Sequence, residues 1–243
     1  MRMRLGVLLV SSAAVILLHD VAYAEAPDAG IPEHISRLSD HEVTERLAYL
    51  EQHLDYRRDY SWYWWNGWTA FYSLGVVIES TRAGLSDGGA TRADDIVSAA
   101  KATGGVINLL RKPLAAKDGA DGVRALPHAT REDRRRQLAA AEEQLRANAQ
   151  DADSRYSWLR HALNVGINAG GAVIVWQGFG DRTRAWRSAG IGIAVGETMI
   201  WSQPWWPAQE WDDYRRRFDA GSERRISWHL TPTIGGAALQ VNF

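Results

Sequence analysis

Two long segments of this chain carry no charge, and each repeats the outline of the other. Ser61 to Ile78 is a run of eighteen uncharged residues, crowded at its start with Trp62, Trp64, Trp65 and Trp68 and followed by Glu79; Ala162 to Gly180 is a run of nineteen. Tyr60-Ser61-Trp62 lies over Tyr156-Ser157-Trp158, ninety-six positions on, and Gly75 lies over Gly171. Both runs are close to the length that crosses hydrocarbon, so each calls for an apolar surrounding, whether protein or lipid.

The charged sequence before each run extends the comparison. Ser39-x-x-Glu42 is a capping box, and Val43, Leu47, Leu50 and Leu54 follow at helical spacing. No breaker stands before Gly67, so one helix is expected over about 40–80, roughly 60 Å long at 1.5 Å per residue. Thr130 with Asp133 opens a second charged helix with an apolar seam of Leu138, Ala141, Leu145 and Ala149, expected to continue to about 178. Gly84 to Gly89, and Gly178 to Gly180 with Asp181, are turns. Shorter return helices are expected over about 91–111 and 184–203, opened by Thr91-Arg92-Ala93 and Thr183-Arg184-Ala185 and stopped before Pro113 and Pro204.

The expected fold class is all-α: a four-helix bundle of two duplicated antiparallel hairpins (39–112 and 130–207) joined by a linker over 113–129. A short helix and a β-hairpin over 208–243 complete it. Ile226, Trp228, Leu230 and then Leu239, Val241 and Phe243 alternate with polar residues, and Gly235-Gly236 turns the chain between them. The last strand, closing on Phe243, resembles the terminal strand of outer-membrane barrels over fewer than ten residues; a single hairpin cannot close a barrel.

Arg2 and Arg4 precede an apolar run from Leu5 to Leu18, and Ala22-Tyr23-Ala24 supplies the small residues that signal peptidase requires, so residues 1–24 read as a signal peptide and 25–38 as a flexible leader. The expected location is a Gram-negative envelope, in the periplasm or on the outer membrane. With 28 basic and 29 acidic residues there is no field to hold nucleic acid, and with no cysteine there is no disulfide or thiolate chemistry.

Glycines at helical spacing remove side chains from one face so that two backbones approach. Gly75, Gly104, Gly166, Gly170, Gly192 and Gly196 are the expected helix seams. Trp62, Trp64, Trp65, Trp68, Trp205 and Trp206 are the candidate ligand or membrane contacts, and Glu79, Lys101 and Glu197 the candidate buried charges. His41-Glu42-Val43-Thr44-Glu45 departs from the zinc-binding HExxH pattern at its second histidine, and no nucleophile elbow, phosphate loop or dinucleotide fingerprint is present, so no catalytic, cofactor or metal residue is assigned.

The expected function is a non-catalytic envelope component that associates with itself, as a homo-oligomer, or with membrane. The alternatives are a periplasmic binding protein for a lipid or glycan, using the tryptophans, and an enzyme or ion-translocating bundle built on Glu79, Glu197 and Lys101.

Overall fold

A computed structural model describes residues 30–219 together with 227–233 and 236–242. The expected signal peptide, the start of the expected leader, and Ile226, Gly235 and Phe243 of the expected hairpin lie outside the described residues. The described residues build an all-α fold apart from two short strands near the end of the chain. In order the elements are α1 (Glu33–Ser36), α2 (Asp40–Asp55), α3 (Arg58–Leu85), α4 (Gly89–Arg111), a 3₁₀ turn (Ala115–Asp118), α5 (Asp121–Arg124), α6 (Arg131–Arg155), α7 (Trp158–Phe179), α8 (Arg182–Ser202) and α9 (Trp206–Phe218). Strands β1 (Ser227–Thr233) and β2 (Gly236–Asn242) pair antiparallel, with Leu230 opposite Leu239.

One half of the molecule has an ordinary core. Both capping boxes are present, Ser39 with Glu42 and Thr130 with Asp133. The α2 stripe of Val43, Leu47, Leu50 and Leu54 packs against Leu138, Ala141 and Leu145 of α6 and Tyr214 of α9. Helix α9 is thus part of this core. The leader is corrected over 30–38: Ile35 is fully buried there, with Ile31 and Leu38 packed beside it, because their four- and three-residue spacing gives even this short piece an apolar side. The segment over 113–129, expected as the linker, is packed as well. Leu114, Ala116, Ala120 and Val123 are buried, and the 3₁₀ turn and α5 hold them against the neighbouring helices.

The other half consists of two antiparallel hairpins, α3 with α4 and α7 with α8, which meet along α4 and α7. The expected continuous helices over 40–80 and 130–178 are both broken where the halves join. At the first break Arg57 takes the left-handed conformation (φ 53°) with neither glycine nor proline to mark it. Tertiary contacts hold it: Asp55 accepts from the Ala120 N–H (2.9 Å), and the Arg57 guanidinium lies over the rings of Tyr56 and Trp206, 5.0 and 5.3 Å from their centres. At the second break Ser157 is extended, and Arg155, only 7 % exposed, donates to the carbonyls of Lys112 (2.9 Å) and Pro113 (3.1 Å) while pairing with Asp151.

Candidate functional site

The glycine seams differ from expectation in which residues they receive. On α8, Gly192 and Gly196 do not meet backbone. A Cβ on Gly192 would lie 2.8 Å from Asn168 Cγ, and one on Gly196 would lie 2.7 Å from Asn164 Nδ2, so each glycine makes room for an asparagine amide. Gly166 and Gly170 are corrected: both are exposed, with no atom within 4 Å of an added Cβ. They sit two positions from the asparagines, about 200° round the helix at 100° per residue, and so face away. Gly104 is likewise open, while its neighbour Gly105 receives the Tyr72 ring and Gly171 receives Val97. Gly75 meets the Ala102 Cβ at 3.4 Å, an ordinary contact on the α3–α4 seam.

The asparagines belong to a polar ladder that crosses this half. Lys101 Nζ on α4 donates to Asn168 Oδ1 (3.1 Å), and Asn168 Nδ2 donates to Asn164 Oδ1 (3.0 Å) and to its carbonyl (2.9 Å). Asn164 Nδ2 in turn donates to Glu197 Oε1 (2.9 Å) and the Ile193 carbonyl (3.0 Å), and His161 Nδ1 donates to Glu197 Oε2 (2.6 Å). Lys101 and Glu197 are therefore members of one connected set, which His161 closes beyond Glu197. Burial alone would raise the Glu197 pKa, but hydrogen bonds from Asn164 and His161 outweigh it and hold the carboxyl below its ordinary range. Burial pushes the Lys101 amine down. Glu79 stands apart from the ladder, beside Arg82 (3.5 Å) and close to Asp95, and burial raises its pKa.

The aromatic cluster divides by role. Trp64 and Trp206 are buried, which corrects their assignment as ligand or membrane contacts; Trp65, Trp68 and Trp205 are half-buried and Trp62 is exposed. The last carbonyls of a helix have no partner within it, and here aromatic tips near the junction supply partners. Tyr60 Oη donates to the Ser202 carbonyl (2.6 Å) and Tyr156 Oη to that of Gln203 (2.7 Å), both at the end of α8. Trp65 Nε1 donates to the Leu109 carbonyl in the last turn of α4 (3.1 Å), and Trp64 Nε1 to the Ser202 hydroxyl (3.0 Å). The residue types at these positions suit a wide apolar body with one donor at its rim. Sequence reasoning marked the cluster but not this capping; it used Tyr60 and Tyr156 only to align the repeat and assigned nothing to His161 and Arg155.

Between the hairpins lies an open cleft of about 1420 Å³ that reaches from Arg187 and Asp94 at the hairpin tips past Lys101 to Arg160 near the junction. Among the described residues no three His, Asp or Glu side chains are grouped to hold a metal ion. His41 and Glu45 are exposed on α2, with Glu45 paired to Arg217 (3.0 Å).

Exposed apolar side chains collect on this half, most of them on its exterior and Phe71, Leu163, Ile167, Ile174 and Ile191 along the cleft. With the exception of Tyr56, every exposed large apolar side chain among the described residues belongs to α3, α4, α7 or α8; Trp158 at 78 %, Leu85 at 77 % and Leu74 at 62 % exposure are extreme cases. Helices α2, α6 and α9 contribute none. No helix among the described residues is long and apolar enough to cross a membrane. No family model, curated protein or solved structure matches the chain.

Proposed function

We propose that the protein is a non-catalytic component of a Gram-negative cell envelope, anchored in a larger assembly by the apolar exterior of α3, α4, α7 and α8. Its partner is membrane lipid or a second copy of the chain. The observation that carries this reading is the segregation of exposed apolar side chains onto one half. Single exposed apolar residues are normal on a soluble surface, whereas a contiguous patch marks an interface. With polar side chains of α7 and α8 turned inward as a satisfied ladder, this half has its polarity reversed relative to the half around α2, α6 and α9. The two hairpins are read as duplicated units of one bundle, with the signal peptide delivering the chain to the envelope.

Monotopic insertion suits the helices best, with apolar faces immersed at the boundary of headgroup and acyl chain. Alkaline carbonate extraction of an envelope fraction tests the proposal. Retention in the pellet, or a soluble oligomer by sedimentation, is the expected result; a soluble monomer overturns it.

A further inference from the structure

Besides the outer surface, the cleft between the hairpins calls for an occupant, and we propose that it binds one single-chain amphiphile with an anionic headgroup, the head at Lys101 and Arg187. This goes beyond the association of the outer surface and stands independently of it. At about 1420 Å³ the cleft exceeds the volume of an ordinary ligand pocket, about 300–1,000 Å³.

Its two ends differ in chemistry. The antiparallel pairing sets the levels: Asn168 faces Gly192, and Asn164 faces Gly196 one turn nearer the junction. On the tip side of Lys101 the cleft carries Asp94, Arg184 and Arg187, and on the junction side its walls are Tyr72, Leu163, Val195 and Met199, with Arg160 beyond Leu163 at the far end. An amphiphile has the same division along its length.

The charge balance selects the sign of the head. Arg82 is compensated by Glu79 (3.5 Å) and Asp95 (3.3 Å), Arg184 by Asp181 (3.3 Å), and Arg155 by Asp151 (2.8 Å). Lys101, Arg160 and Arg187 make no ion pair among the described residues, and the cleft as a whole is lined by six cationic side chains against the four carboxylates of Glu79, Asp94, Asp95 and Asp181. The Lys101 ammonium has three donors, and Asn168 takes one. Burial makes the charged amine costly, Asp94 and Glu79 offset only part of that cost, and an anion at the ammonium would offset more of it.

The test uses cis-parinarate, a fatty carboxylate that fluoresces on leaving water, and the corresponding parinaryl alcohol, titrated into the purified mature chain. One-to-one saturable binding of the carboxylate is expected, with the alcohol about tenfold weaker, as one charge-assisted hydrogen bond implies. Lys101→Gln and Arg187→Gln should each weaken the carboxylate by a similar factor and leave the alcohol unchanged. Gly104→Phe places bulk where an added Cβ meets nothing within 4 Å, so it should close the cleft without disturbing the fold. That variant should keep the wild-type circular dichroism and melting temperature and lose the site. The proposal is overturned by equal affinity for acid and alcohol, by unchanged binding in a folded Gly104→Phe variant, or by a dimer whose cleft excludes the probe.

Discussion

Asn168 occupies on α7 the space that Gly192 leaves on α8, and its amide joins Lys101 on a third helix to Asn164 one turn below. The pair explains how an apolar half can carry a lysine, a glutamate and a histidine in its interior: each amide uses its donors and acceptor on a named partner, so little is left unsatisfied.

Glycine substitutions should therefore divide by face. Gly166→Ala and Gly170→Ala add a methyl to open space in a helix and should stabilise the protein by about 0.5–1 kcal/mol each. Gly192→Ala forces the Asn168 amide aside and should cost about 1–3 kcal/mol through the hydrogen bonds it breaks. In an Asn168→Ala background the same change should cost much less, a coupling of about 1 kcal/mol or more. Urea unfolding of the four variants and the double mutant measures each term.

Trp65→Phe should cost about 1 kcal/mol beyond the packing change, since it strips the donor from the Leu109 carbonyl at the end of α4. Trp62→Phe should leave stability within about 0.5 kcal/mol because that ring is exposed. Thermal melts of the two variants give the comparison.

Glu79 gives a pH dependence of definite sign. Burial, reinforced by Asp94 and Asp95, places its folded-state pKa above its ordinary 4.5. The native state then holds the proton more tightly than the unfolded chain, so the stabilisation is fully present below about pH 4.5 and is lost as pH rises through the folded value. Glu79→Gln removes this loss. Relative to wild type the variant should gain stability as pH rises across that window, and denaturant titrations at a series of pH values should show the two curves separating upward.

The segment over 30–38 contributes to the core through Ile35, so removing residues up to 38 should destabilise the α2–α6–α9 half. Ile35→Ala alone should cost about 2–5 kcal/mol, as burial-to-cavity changes do. Calorimetry of the mature chain and the variant checks this.

Much of the helical framework was legible because its signals are local. The capping boxes, the Val43–Leu54 stripe and the Gly180 turn depend on residues within a few positions of one another, and each is found where its pattern places it. The break at Tyr56–Arg57 was not legible, because it is held by Ala120 and Trp206, far along the chain. The seam was half legible. Small residues every four positions announce a face, but only the partner helix decides whether the face that packs is that of Gly166 and Gly170 or that of Asn164 and Asn168. The tryptophans misled in a similar way, since a ring that caps a carbonyl and a ring offered to lipid have the same composition.

The claim that the apolar exterior of the α3, α4, α7 and α8 half is the anchoring surface can be read directly, because the chain has no native cysteine. Single cysteines at Val173→Cys and Leu74→Cys on this half, and at Glu143→Cys on α6, all replace exposed side chains and can carry an environment-sensitive fluorophore in the native envelope. The account predicts blue-shifted, quencher-protected emission at 173 and 74 and water-like emission at 143. Water-like emission at all three positions would contradict it.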